Sequence, residues 1–124
     1  VAHEVAAVTG ACLAVEATVF ERLGGLDEEH LAVAYNDVDL CLKARKIGLR
    51  VVFTPHARLV HHESASRGVD DDPTRNERLA SELSVMRERW GDLLTADPAY
   101  SPNLGLTGQD FTLAAHPRAI PLWR

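Results

Sequence analysis

The sequence predicts an α/β fold. Three observations carry that prediction: β-branched apolar runs at residues 5–15 and 49–53, a charge-capped helical segment between them, and an apolar stripe at spacings of three and four over residues 73–90. Residues 5–15 are small and β-branched, and Gly10 inside them admits a close backbone approach. Residues 17–23 carry Val19, Phe20 and Leu23 at helical spacing and stop at Gly24-Gly25, which predicts a short helix with a glycine terminus. Residues 26–35 predict a loop with some local helix.

Asn36 predicts an N-cap. Asp37 and Asp39 in the first turn, with Lys43, Arg45 and Lys46 in the last, complement the dipole of a helix over 37–47 that Gly48 closes. Residues 49–53 predict a buried strand ended by Thr54-Pro55, and 57–62 a further short strand. The polar stretch 63–72 is a loop. Asp72-Pro73 then caps a helix whose Leu79, Leu83, Met86 and Trp90 form the stripe, with Gly91 as its expected end. Beyond Asp97, Pro98, Pro102, Gly105 and Gly108 predict an irregular tail with a last short strand at 111–114.

Composition bounds the function. The chain has 124 residues, 46% of them hydrophobic and 25% charged, enough for one packed domain and far from a disordered composition. The formal net charge is −5, and no dense Lys/Arg cluster suits nucleic acid. Residues 37–67 nevertheless carry six basic groups against three acidic ones, a basic middle that suits an anionic ligand or a solvated face. No apolar run is long enough for a transmembrane segment. Cys12 and Cys41, both in apolar segments, predict buried reduced thiols and a cytoplasmic location, free or at the inner face of the membrane. Valine at position 1 predicts an excised piece of a longer protein.

Three pieces carry chemistry: Thr9-Gly10-Ala11, the run Asn36-Asp37-Val38-Asp39-Leu40, and His61-His62-Glu63-Ser64-Ala65-Ser66-Arg67-Gly68. With Gly24-Gly25-Leu26-Asp27-Glu28 between the first two and Pro55 before the third, this ordered set resembles the C-terminal, acceptor-side half of a bacterial family 2 glycosyltransferase of the GT-A fold. In that family a T-G-A strand is followed by G-G-F-D-E, by an E-D-x-D-L helix, and by a histidine after a further short strand. The stretch from Trp90-Gly91 to Asn103-Leu104 is similar to members that build surface polysaccharides. One departure is Asn36, which stands where the family has glutamate.

The resemblance implies a partial GT-A fold, nucleotide-diphospho-sugar transferase-like. Residues 1–68 would be the acceptor-side part of the catalytic domain, and 69–124 a C-terminal helix and tail packing on it or on a partner. The implied activity is inverting, metal-dependent transfer from a nucleotide-sugar donor to a glycan or lipid-linked acceptor. It also implies a nucleotide-binding half with a D-x-D motif before Val1; without it the 124-residue piece is expected to be inactive. A non-catalytic interaction or assembly module, possible as a homo-oligomer, is the alternative.

By resemblance, Asp37 is the general base that takes the acceptor hydroxyl proton; by helix electrostatics alone, both acids complement an N-terminus. Residues two apart on a helix point roughly 200° apart, so Asp37 and Asp39 do not serve one hydroxyl together. Asp39 suits a reciprocal cap or a substrate contact. His61 corresponds to the histidine that completes a divalent metal site, with Mn²⁺ or Mg²⁺ as the cofactor; the competing reading is a satisfied strand-end histidine. Ser66 and Arg67 fit a clamp over a diphosphate or a solvated loop, and Thr9 and Gly10 fit the sugar and acceptor pocket or local packing. Asp70-Asp71-Asp72 is not read as the D-x-D motif, because it follows the histidine segment and Asp72 serves as a cap.

The apolar side of the 73–90 helix must dock on something: the preceding half of the enzyme or a second copy of the chain.

Overall fold

The computed structural model describes residues 1–62, 73–95, 97–107 and 112–118. Ser66 and Arg67 of the expected clamp, the acidic run 70–72 and Phe111 lie outside these residues. The elements run β1 (His3–Glu4), α1 (Ala17–Arg22), α2 (Asn36–Lys46), β2 (Val52–Phe53) and α3 (Pro73–Thr95). Helices with a two-stranded sheet bear out the α/β class.

β1 and β2 pair antiparallel, His3 with Phe53 and Glu4 with Val52, and the Val5 amide extends the ladder to the Val51 carbonyl. The predicted strand over 5–15 is therefore corrected. Its pairing ends at Val5, Arg45 takes the Val5 carbonyl at 2.8 Å, and Gly10–Cys12 is a 3-10 turn capped by the Thr9 hydroxyl. A strand needs a neighbour for its backbone groups, and among the described residues none lies beside 6–15. The same reason shortens the 49–53 strand to two residues and leaves 57–62 without strand structure.

The core sits between α2, the loop before it, and α3. Leu31, Leu42, Met86 and Trp90 are buried together, with Tyr35, Val38, Val85 and Leu94 packed around them. The amphipathic helix thus docks on this chain's own α2 and its preceding loop. The buried positions on α3 are Glu82, Met86 and Trp90, one face at spacing four, while Leu79 of the expected stripe is exposed. α3 also runs through Gly91 to Thr95. A glycine inside a helix costs about 1 kcal/mol relative to alanine, and beyond it Leu94 still packs against the core.

The tail is fastened by Arg118. Its guanidinium donates to the carbonyls of Thr95, Ser101 and Leu104, and it lies over the Tyr100 ring. Of the predicted last strand, Leu113 forms a single bridge to Leu104. Among the described residues no helix is long and apolar enough to cross a membrane.

Candidate functional site at the start of helix α2

α2 begins without a side-chain cap. Tyr35, not Asn36, is the capping residue, and it holds a left-handed backbone (φ 63°, ψ 0°) while its carbonyl accepts from the Asp39 amide at 2.8 Å. A left-handed aromatic residue is uncommon and costs about 1–3 kcal/mol, so its surroundings must hold it there. They do so through α3. Glu82 is buried, and its carboxylate accepts from two consecutive amides, Val33 at 3.2 Å and Ala34 at 2.7 Å.

Just inside the helix, Asp37 is half-buried. Its Oδ2 accepts from the Gly10 amide at 2.6 Å and its Oδ1 from the Val38 amide at 2.8 Å. The contact with Gly10 is close because the glycine has no side chain: a Cβ there would stand 3.3 Å from the Asp37 Cβ. Each carboxylate oxygen has two lone pairs, so one on each is left after these bonds. The structure therefore brings Thr9-Gly10 and Asp37 together from segments 27 residues apart.

Asp39 is placed elsewhere, and the expectation of a substrate contact or a reciprocal cap is corrected. The side chain has no solvent exposure. Its Oδ1 accepts from the Trp90 indole N–H at 2.8 Å and lies 3.4 Å from Arg89, and its Oδ2 pairs with Lys43 at 2.7 Å. The two-residue separation on α2 is what sends Asp37 toward Gly10 and Asp39 toward α3.

The loop before α2 is tied to the same helix. Asp27 Oδ1 accepts from the Glu29 and His30 amides, and Oδ2 pairs with Arg89 at 2.6 Å. The backbone bond from His30, with the Arg89 guanidinium beside it, holds the Asp27 carboxyl well below the usual carboxylate range, and Asp27 in turn raises Arg89. The sequence pattern does not single out Glu82 or Arg89, and it marks Asp27 and Trp90 only as members of the G-G-L-D-E motif and of the apolar stripe. A readable signal existed for one of them: Glu82 lies in line with Met86 and Trp90, a charge on the apolar face.

His61 is exposed at the end of the 1–62 stretch. Among the described residues no three His, Cys, Asp or Glu side chains converge to hold a metal ion, so these residues do not compose a metal centre by themselves. Cys41 is buried, as expected, and burial pushes its thiol up; Cys12 is exposed, against the expectation of two buried thiols. A cavity of about 740 Å³ opens between the 5–15 segment, α1, α2 and β2. Its walls include Val8, Leu13, Val19, Leu40 and Val51, and Asp37 does not line it.

The geometry thus sets one half-buried carboxylate, that of Asp37, at the start of α2 against the Thr9-Gly10 turn. The chain belongs to the glycosyltransferase like family 2, whose model matches residues 1–90. It is 50% identical over 109 residues to an uncharacterized protein of Sinorhizobium fredii (strain NBRC 101917 / NGR234), covering 88% of this chain and 12% of that protein. It is 44% identical over 110 residues to the O-antigen biosynthesis protein RfbC of Myxococcus xanthus, covering 89% of this chain and 8% of that one. To the N-acetylglucosaminyl-diphospho-decaprenol L-rhamnosyltransferase of Mycobacterium tuberculosis (strain ATCC 25618 / H37Rv) it is 36% identical over 63 residues, 51% of this chain and 20% of the relative. The chain thus spans about a tenth of the first two relatives. No solved structure gives a significant match.

Proposed function

We propose that this chain is the acceptor-side part of an inverting glycosyltransferase of the GT-A fold, which moves a sugar from a nucleotide-sugar to a glycan or lipid-linked acceptor in surface polysaccharide synthesis. The names of the relatives, O-antigen biosynthesis and rhamnosyl transfer, support the class of product. The observation that carries the reading is Asp37, half-buried, fixed by the Gly10 amide and keeping a lone pair on each oxygen.

In the proposed step the acceptor hydroxyl gives its proton to Asp37 as its oxygen bonds to the anomeric carbon. The bond from that carbon to the diphosphate oxygen breaks, and the electron pair leaves with the diphosphate. Gly10 and Val38 hold the carboxylate in place for this transfer. A divalent metal, Mn²⁺ or Mg²⁺, belongs to the proposal only through His61 as a single ligand, the others coming from the donor and from a nucleotide-binding segment preceding this chain. Ser66 and Arg67 remain proposed diphosphate contacts. The apolar cavity, with Val15, Val52 and Phe53 exposed beside it, supports packing of such a segment there. The proposed location is the cytoplasm or its membrane face.

The test is turnover of this region expressed with the preceding segment. Asp37→Asn should lower turnover by roughly 10²- to 10⁴-fold with donor binding little changed. Near-full activity of that variant overturns the base assignment. Micromolar binding of a nucleotide-sugar to the 124-residue chain alone would overturn the expectation that the piece needs its other half.

A further inference from the structure

Glu82 is a buried acid that the proposed reaction does not use. It sits in line with Met86 and Trp90 on the face of α3 that meets the core, where an apolar side chain would pack at lower cost. Taking a carboxylate out of water costs several kcal/mol unless hydrogen bonds replace its hydration. Here both oxygens are spent on the amides of Val33 and Ala34, 49 and 48 residues away in sequence. Charge-assisted bonds of this kind are about twice as strong as neutral ones.

The place they act on is narrow. Tyr35 follows at once in its left-handed conformation, and α2 starts at Asn36 without a side-chain cap. On the other side of Asp37, the indole of Trp90 takes hold of Asp39. The backbone that carries Asp37 is therefore held at both ends by one helix, at Val33-Ala34 just before Tyr35 and at Asp39, two residues after Asp37.

We propose that α3 positions Asp37, with Glu82 and Trp90 as positioning residues that set the angle at which α2 presents this carboxylate to Gly10 and to the acceptor. The inference rests on the reading of Asp37 as the base for its consequence in catalysis, and its geometric content stands apart from that reading. A shift of about 1 Å in a reacting group can cost on the order of 10²-fold in rate. In the active, longer protein, Glu82→Gln should lower kcat toward that extent while KM for the donor changes little.

The direct readout is the Gly10 amide, followed by NMR in the 124-residue chain. Asp37→Ala, which removes the acceptor, fixes the amide shift and exchange rate of a released Gly10. Glu82→Gln keeps the size of the side chain but offers one acceptor where two amides need one each. The Gly10 signal should move toward its released position and exchange about 10-fold faster. The Ala114 amide, bonded to the Asn103 carbonyl in the tail, should stay as it is. Trp90→Phe keeps most of the ring and loses the N–H, and should move Gly10 in the same direction.

If Val33 and Ala34 exchange faster in Glu82→Gln while Gly10 does not move, Glu82 only holds its own loop and the proposal is overturned. Should Glu82→Gln not fold, Trp90→Phe decides alone, and an unmoved Gly10 there overturns it equally. These signals need no turnover. An Asp37→Asn enzyme that stays active would remove the base reading and leave the positioning result standing.

Discussion

The indole N–H of Trp90, on α3, donates to the buried carboxylate of Asp39, on α2, at 2.8 Å. Lys43 and Arg89 complete the surroundings of that carboxylate, so Asp39 joins α2 to α3 through one side chain. Removing it leaves the Trp90 indole N–H and the Lys43 ammonium without this acceptor, while Arg89 keeps Asp27. Asp39→Ala should therefore destabilise the chain by about 1–3 kcal/mol, the usual cost of leaving a buried donor, here the Trp90 N–H, without its acceptor. Urea denaturation followed by Trp fluorescence measures this. A loss under about 1 kcal/mol would show that these bonds contribute little to holding α2 on α3.

Acid should weaken the Asp27–Arg89 tie only gradually. The folded carboxyl of Asp27 is held far below its ordinary value, by the His30 amide first and by Arg89. A group whose folded pKa is depressed contributes stability that is full above its unfolded value, about 4, and is lost as pH falls toward the folded value. Stability curves for wild type and Asp27→Asn should be separate at pH 6 and converge as pH drops below about 4. Parallel curves over that range would show that the pair contributes nothing.

The two cysteines should separate by reactivity. Cys12 is exposed, whereas Cys41 is 4% exposed, with burial raising its thiol pKa. Iodoacetamide at neutral pH should label one thiol of the native chain, at Cys12, and the second only after denaturant is added. Equal labelling of both in the native state would contradict the packing of α2.

Gly91→Ala should stabilise α3. The helix continues through this position, and an added Cβ would meet nothing within 4 Å. The gain expected is about 0.5–1 kcal/mol, from helix propensity and a less flexible unfolded chain. It appears as a higher thermal midpoint; no rise would mean that the last turn of α3 is frayed in solution.

Much of the local structure was legible in the chain. Asp37 and Asp39 at one end and Lys43, Arg45 and Lys46 at the other mark α2 almost to the residue. Pro73 marks the start of α3 in the same way. These signals are local, because capping and dipole effects act within a turn. The Thr9-Gly10 turn and Asp37 were recognisable as members of one ordered motif set, and the family match over residues 1–90 agrees with that ordering.

What the sequence by itself determined, then, is helix placement, the absence of charge patterns suited to nucleic acid, and the family. Tertiary structure alone decided that Asp37 meets Gly10 while Asp39 turns inward to Trp90, and that Glu82 reaches back to the Val33 and Ala34 amides. It also decided that residues 6–15 form no ladder and that Gly91 does not end α3. The physical reason is common to all of these. A carboxylate, a strand edge or a helical glycine has no fixed energy of its own; its role depends on which donor or packing surface folding brings within reach.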